Sequence, residues 1–236
     1  MKTFSKILIV SAAMLTFLSC SKDNPESGNA TTEIAPDLVD LGLSVKWGTF
    51  NLGASKPEEY GGYYQWAGTR DVTDKSIYLD CNNCPYHTGP DFLSGWTKYN
   101  TNSSYGHVDN KTVLDPEDDV VHVTLGGKWR MPTREEWTEL TNTSNCSWTW
   151  TSINGINGYM VQSKKAGFTE NWIFLPAAGS RYRSGLFNIG SNGSYWSSSL
   201  DTGYPYDAYY LSFGSYSVCT GSDRRYRGLS VRPVSD

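Results

Sequence analysis

One segment of this 236-residue chain carries the signals of a helix, which leaves most of the fold to other structure. Thr133 and Glu136 have the spacing of a capping box, in which a hydroxyl and a carboxylate satisfy free backbone N–H groups at a helix start. Trp137 and Leu140 lie three residues apart and would form the buried face. The sequence therefore predicts a helix over 133–142, with Glu136 as a capping side chain and not as an acid or base.

The rest of the folded part favours short β-strands, because turn-forming and polar residues outnumber strong helix formers. Asn-Gly pairs at 154–155 and 157–158 are typical of tight turns. Residues 69–112 are polar with little periodicity, which predicts a long loop region. We expect an α+β domain dominated by antiparallel strands. The expected strands cover 36–51, 61–68, 159–161, 172–175, 195–198, 208–213 and 229–234.

Composition excludes several classes of protein. Only 19% of the residues are charged, so charge-rich disorder is excluded for most of the chain. Binding to nucleic-acid phosphates needs a concentrated basic face, which a formal charge of −4 disfavours, so we expect no nucleic-acid binding. The 9 Trp and 16 Tyr have polar ring edges, which suit a partly wet surface that touches a partner.

The first twenty residues have the features of an export signal. Lys2 and Lys6 precede an apolar run over 7–18, which is of signal-peptide length and too short for a membrane span. The run ends in Phe17-Leu18-Ser19-Cys20, which resembles a bacterial lipobox. That resemblance implies cleavage before Cys20 and lipid attachment to it. The alternative is an ordinary signal peptide followed by a stray cysteine.

The segment after Cys20 predicts a flexible tether. Residues 21–32 contain no apolar residue except Ala30, so they cannot bury a core. The early charges loosely resemble the acidic export tag of surface-exposed lipoproteins in some Gram-negative bacteria. We therefore expect an outer-membrane lipoprotein exposed on the cell surface and held in the membrane by its lipid. Its parts would be a signal peptide at 1–19, a lipidated tether at 20–35 and a binding domain at 36–236.

Four further cysteines, at positions 81, 84, 146 and 219, allow three disulfide pairings. An exported protein can hold disulfides, and Cys81 and Cys84 could pair with each other. With His87 they also form a C-x2-C-x2-H string that could bind zinc, although a second pair of ligands is missing. We expect no metal at this string.

Five strings together carry a family resemblance. They are VDLGLSVKW at 39–47, WRMPTREEW at 129–137, FLPAAG at 174–179, YWSSS at 195–199 and GLSVRPV at 228–234. In combination they resemble the major paralogous domain family of surface lipoproteins, over roughly residues 37–234. That family is similar to the C-type-lectin fold in the variant found in formylglycine-generating enzymes, and it includes variable proteins of diversity-generating retroelements. The resemblance implies a C-type-lectin-like fold with a helix on twisted antiparallel sheets and long loops.

In variable proteins of that kind, the mutable positions lie in the last segment and encode Tyr, Ser, Asn, Asp, Gly and Arg. Residues 181–227 are rich in these types. Period two places Tyr209, Leu211 and Phe213 on one face of a strand, which we expect to be core. The opposite face would present Tyr and Ser outward, as antibody paratopes do. The predicted ligand-binding residues are Arg183, Asp201, Tyr204, Tyr206, Asp207, Tyr210, Ser212, Tyr216, Ser217, Arg224, Tyr226 and Arg227.

Other chemistries have weaker support. Formylglycine-generating relatives use paired cysteines and copper near the end of the fold, but only Cys219 lies in that region. A serine hydrolase is also disfavoured, because no Gly-x-Ser-x-Gly nucleophile elbow occurs. The acidic run 115–119 could hold calcium, or it could form a turn and a helix N-cap, which we favour. Sugar binding without calcium, by stacking on a tryptophan, stays open. The candidate tryptophans are Trp66, Trp96, Trp148 and Trp150.

The sequence thus predicts a non-enzymatic protein without cofactor or metal. Its partner would be an unidentified protein or glycan on another cell or on a host. The alternatives are a degenerate enzyme of the formylglycine-generating type and a structural subunit of the cell envelope, such as a fimbrial tip.

Overall fold

A computed structural model describes residues 34–236, so the predicted signal peptide, Cys20 and most of the tether lie outside the described residues. The described residues lie within one unit, Glu33–Asp236. Short 3-10 turns occur at Cys81–Asn83 and Pro116–Asp118. The helices are α1 (Val120–Leu125) and α2 (Arg134–Thr141). The strands are β1 (Leu38–Val39), β2 (Lys46–Gly48), β3 (Trp129–Arg130), β4 (Cys146–Ile153), β5 (Ile156–Ser163), β6 (Trp172–Pro176), β7 (Ser180–Tyr182), β8 (Gly185–Phe187), β9 (Asn192–Leu200), β10 (Asp207–Gly214), β11 (Ser217–Arg224) and β12 (Val234–Ser235).

These strands form antiparallel sheets, as expected for the α+β class. One sheet has the order β1-β2-β12-β3, so the end of the chain pairs between strands from its beginning and middle. Two three-stranded sheets have the orders β11-β10-β9 and β4-β5-β6, and β7 pairs with β8. Within residues 34–236, no helix combines the length and apolarity that a membrane span requires.

Helix α2 is confirmed together with its capping signal. The Thr133 hydroxyl accepts a hydrogen bond from the Glu136 amide at 3.2 Å, and the Glu136 carboxylate accepts one from the Thr133 amide at 2.8 Å. Trp137 and Leu140 are fully buried, and the Trp137 indole donates to the backbone oxygen of Trp196 at 3.2 Å. The capping box therefore starts the helix at the point where its apolar face meets the core.

Other local predictions are corrected by the structure. The expected strand at 36–51 is two short strands, because the chain reverses between them at Gly42, whose φ is +70°. A Cβ atom at Gly42 would lie 2.6 Å from the Phe168 ring. Asn154 and Gly155 form the predicted turn with positive φ, but the Asn-Gly pair at 157–158 lies inside β5.

Two further strand predictions differ from the structure. In the expected strand at 61–68, Tyr64 makes isolated bridges to Asp71 and Leu229. The expected strand at 229–234 contributes only its last residue to β12. The expected strands do not include β3, β4, β7, β8 or β11, although β4 carries a period-two signal, with Trp148 and Trp150 on one face and hydroxyl residues on the other.

Two main apolar clusters form the core. One joins the four-stranded sheet, α2 and the two three-stranded sheets and contains Trp47, Trp137 and Phe213. The other contains Trp66 and Trp196 and joins the long loop, through Tyr99, to the end of the chain, through Leu229 and Val231. The region 69–112 is a loop, as predicted, apart from one 3-10 turn. It is nevertheless anchored, and its buried side chains include Leu79, Trp96 and Tyr99.

Three fully buried arginines tie the loops to this core, a feature that the sequence did not reveal. Arg232 donates to the backbone oxygens of Gly48 at 2.8 Å and Phe174 at 2.6 Å and to the Asn51 side-chain oxygen at 3.0 Å. It therefore links the first sheet to β6. Because a guanidinium has five N–H donors in a rigid fork, one such side chain can satisfy carbonyls from several segments.

The other two buried arginines hold segments of the 69–112 loop. Arg181 donates to the backbone oxygens of Asp74 at 2.8 Å and Ile77 at 2.9 Å. Arg225 donates to the backbone oxygens of Tyr99 at 3.2 Å and Pro205 at 3.1 Å. A region without regular secondary structure is thus fixed by charged side chains that replace the missing backbone hydrogen bonds.

Candidate ligand-binding surface

The β10–β11 hairpin confirms part of the predicted division between core and surface. The expectation that Tyr209 lies in the core is wrong: a β-bulge lies between Ala208 and Tyr210, Ala208 is buried, and Tyr209 is half-buried beside Arg134. Leu211 and Phe213 are buried, and Val218 packs on the same cluster. Ser217 and Cys219 are exposed. Tyr210 is only half-buried against Trp196, with ring centroids 6.2 Å apart, so its face of the strand is partly covered.

Three of the predicted binding residues are buried, so the expectation that all of them are exposed is wrong. Tyr206 is 8% exposed because Phe92 and Tyr105 from the long loop pack on its ring, with centroids 5.4 and 5.2 Å away. Asp201 accepts hydrogen bonds from the Gly203 amide and shapes the turn before β10. Asp207 is the third.

Asp207 forms a structural ion pair with Arg224. The guanidinium nitrogen of Arg224 lies 2.5 Å from one carboxylate oxygen of Asp207. Burial raises the pKa of Asp207, while the hydrogen bond and the charge of Arg224 oppose that rise. The same guanidinium lies 4.4 Å from the ring centres of both Phe92 and Tyr206. Arg224 therefore fixes the long loop against the start of the hairpin through charge and cation–π contacts.

A second group of aromatic and arginine side chains lies beside the first. The rings of Tyr182 and Tyr226 are 5.9 Å apart. The guanidinium groups of Arg183 and Arg227 lie 5.2 and 5.4 Å from the centre of the Tyr182 ring. Arg227 also pairs with Asp223 at 2.7 Å. Tyr226 packs against the cluster that contains Tyr206, so the two groups are continuous.

We call this continuous region the aromatic–arginine surface. Its exposed or half-buried members come from four separate parts of the chain, and Tyr204 is the most open of its tyrosines at 54% exposed. The predicted binding residues do not include Phe92, Tyr105 and Tyr182. Phe92 and Tyr105 are aromatic residues in a long polar loop, which is a signal for such a site, whereas Tyr182 lies in β7. The members are Phe92, Tyr105, Tyr182, Arg183, Tyr204, Tyr206, Arg224, Tyr226 and Arg227.

The remaining predicted residues lie elsewhere on the hairpin. Tyr216 is fully exposed at the β10–β11 turn, beside Ser217, and Ser212 lies near that end. Asp207 pairs with Arg224 at the opposite end of the same two strands. Eight residues of extended chain separate the two ends by about 23 Å. The predicted residues therefore do not form one patch.

Carboxylates of the acidic run at 115–119 form ion pairs with a lysine of the protein itself. In the described part of the chain, one group of three possible metal ligands converges, namely Asp115, Glu117 and Asp118. The Lys98 ammonium lies 2.6 Å from Asp115 and 2.5 Å from Asp118. Burial alone would lower the pKa of Lys98, but its hydrogen bonds to these carboxylates raise that pKa above its usual value.

Asp119 has the capping role that the sequence favours. Its carboxylate accepts from the Val121 amide at 2.9 Å at the start of α1 and from the Met131 amide at 2.8 Å. The turn and N-cap interpretation of the acidic run is therefore confirmed.

All four described cysteines are free thiols. Burial raises the pKa of Cys84 to about 12 and that of Cys146 to about 11, so both are protonated at neutral pH. Cys219 is exposed on β11, opposite Ser212. Cys81, Cys84 and His87 do not form a converging ligand group among residues 34–236. The ring nitrogen of His87 contacts the backbone oxygen of Asp91 instead.

The candidate tryptophans for sugar stacking are mostly unavailable to a ligand. Trp66 and Trp96 are buried beside Arg225, and Trp148 and Trp150 are half-buried against Tyr159.

No family model, curated protein or solved structure matches this chain.

Proposed function

We propose that this protein is a non-enzymatic, adhesin-like lipoprotein that binds a protein or glycan on another cell or on a host through the aromatic–arginine surface. In this proposal a lipid on Cys20 anchors it in the outer membrane of a Gram-negative bacterium, with the folded domain on the cell surface. The observation that carries the proposal is the joining of tyrosines and arginines from distant segments into one open, ordered patch.

The composition of the patch is that of a binding hot spot. Tyr and Arg dominate the binding energy of many protein interfaces, because they offer large contact areas and directed hydrogen bonds. Stacked rings and paired guanidinium groups lose little conformational freedom on binding, which lowers the entropic penalty of association. Arg183 and Tyr204 are the most accessible members, since both are exposed.

A C-type-lectin-like fold and diversification by a retroelement belong to the same proposal. The pairing of β12 between β2 and β3, which returns the end of the chain to its beginning, supports that fold. A near-copy of the codons for 181–227 beside the gene, differing at adenines and next to a reverse transcriptase, would support diversification. A neighbourhood without either would leave a binding surface of fixed sequence.

Adhesion of cells that display the full chain tests the function. We expect the triple variant Arg183→Ala, Tyr204→Ala, Arg227→Ala to lose adhesion, because these side chains are accessible and lie on the surface. The matched control is Lys56→Ala, Trp172→Ala, Tyr216→Ala, which removes exposed side chains elsewhere. Display is equalised with an antibody against the chain. The proposal would be refuted if the triple variant adhered as well as the parent. It would also be refuted if cells that display the parent adhered no better than cells lacking the chain.

A further inference from the structure

A cleft with a mixed polar and apolar lining opens beside the aromatic–arginine surface. Its volume is about 520 Å³, within the range of small-molecule sites. The walls come from the segments around Gln65, Arg70, Asn83 and Glu117. The Gln65 amide nitrogen donates to the backbone oxygen of Tyr226 at 3.2 Å, so the cleft wall and the surface are joined by one hydrogen bond.

The side chains that line the cleft are of two chemical kinds. Planar polar groups are supplied by the amides of Gln65 and Asn83, the guanidinium of Arg70 and the carboxylate of Glu117. The amide nitrogens of Gln65 and Asn83 are already hydrogen-bonded within the protein, to Asn83, Tyr226 and Tyr78, which leaves Arg70 and Glu117 to donate to and accept from ligand hydroxyls. Apolar atoms come from other lining residues, which are Val72, Ile77 and Pro85. A ligand that fits would therefore combine hydroxyl groups with a C–H face.

The cleft carries no net formal charge. Arg70 and Glu117 have opposite charges, and the neighbouring carboxylates of Asp115 and Asp118 are balanced by the ammonium groups of Lys98 and Lys111. An anionic ligand would need an excess of cationic groups, and a cationic ligand would compete with Lys98 for Asp118. The electrostatics thus favour an uncharged ligand.

The walls are preformed. Ala67 and Tyr86, which both line the cleft, have φ values of 61° and 59°, in the left-handed region that non-glycine residues rarely adopt. Tyr86 is held there because its hydroxyl donates to Asp118 at 2.5 Å and its backbone oxygen accepts from the Thr97 amide at 2.9 Å. A wall ordered before binding lowers the entropic penalty of taking up a ligand.

We propose that this cleft binds one sugar ring of a neutral oligosaccharide, and that Tyr226 and Tyr182 contact the next ring. A pyranose ring has the required hydroxyl edge and C–H face and no charge. Its neighbour in a chain would reach the tyrosines, whose rings stack on sugar faces. This inference rests on the proposed function, because it assigns a ligand class to the same binding region.

The test uses the full chain, purified in detergent, on an array that carries neutral oligosaccharides, acidic oligosaccharides and short peptides. We expect at least one neutral oligosaccharide to bind. Isothermal titration of that oligosaccharide should show at least about tenfold weaker binding for Arg70→Ala, Glu117→Ala, because two charge-assisted hydrogen bonds are removed. Both side chains are exposed, so the fold is expected to remain.

The charge-matched control is Lys56→Ala, Glu170→Ala, which removes an exposed pair of opposite charges away from the cleft. Its affinity should equal that of the parent. An array with no neutral ligand, binding of acidic glycans or peptides alone, or equal affinity of the cleft variant and the parent would overturn the inference. If the adhesion test succeeds while the array shows no neutral ligand, the binding surface stands and the ligand class is wrong.

Discussion

Replacing Arg225 with methionine tests whether a buried cation stabilises the base of the aromatic–arginine surface. The variant leaves the backbone oxygens of Tyr99 and Pro205 without their donor, which costs about 1–2 kcal/mol for each carbonyl. It also removes cation–π contacts with Trp96 at 4.2 Å and Trp66 at 4.8 Å, worth about 1 kcal/mol each. The losses are therefore about 5 kcal/mol.

An opposing effect reduces this loss. Burial lowers the pKa of Arg225 to about 10, so the charged form present at pH 7 carries a penalty of about 3 kcal/mol. Methionine fills the same slot between two indoles without that penalty. We therefore expect Arg225→Met to lower the free energy of unfolding by about 2 kcal/mol at pH 7.

Urea unfolding followed by tryptophan fluorescence measures this difference, because Trp66 and Trp96 flank the substituted side chain. Arg70→Met, at an exposed arginine, is the matched control and should change the free energy of unfolding by less than about 0.5 kcal/mol. A destabilisation below about 0.5 kcal/mol for Arg225→Met would refute the role of the carbonyl contacts. One above about 5 kcal/mol would refute the offsetting penalty.

Three further predictions follow from other parts of the molecule. Lys98→Met should lower the free energy of unfolding by about 2–4 kcal/mol in urea titration at pH 7, because Asp118 keeps a buried charge without its partner; an unchanged midpoint would contradict this. Gly42→Ala should lower it by at least about 1 kcal/mol, since φ is +70° and the new Cβ meets the Phe168 ring; equal stability would show that the turn relaxes freely. Cys20→Ser should abolish incorporation of an alkyne-labelled palmitate in growing cells, and labelling of that variant would disprove the lipid site.

The predictable parts of the fold are those with local signals. A capping box and two apolar residues at helical spacing suffice for α2, because every interaction that defines its start lies within four residues. The alternation in β10 gives the burial of Leu211 and Phe213, since period two is a property of any strand. Local signals fail at Gly42, where a distant ring excludes a side chain and the apolar alternation continues through a reversal of the chain.

The aromatic–arginine surface is less predictable, because exposure depends on what covers a residue. Tyr206 has the composition of a paratope segment, but Phe92 and Tyr105 reach it from a loop far away in the sequence. The sequence of 69–112 has no periodicity that predicts this contact. The same loop supplies half of the cleft, so the site is assembled from segments whose sequences individually read as turns.

The arrangement of arginines explains how an irregular region can form an ordered surface of the kind that the proposed function requires. Arg181 and Arg225 point into the core and hold loop carbonyls, whereas Arg183 and Arg227, two residues further along in each case, lie at the surface beside Tyr182. Because the framework contacts use backbone oxygens, they do not depend on the side chains of the loops that they hold. Substitutions at the two outer arginines should therefore alter the proposed ligand choice at little loss of stability, while substitutions at the two inner arginines should disturb both.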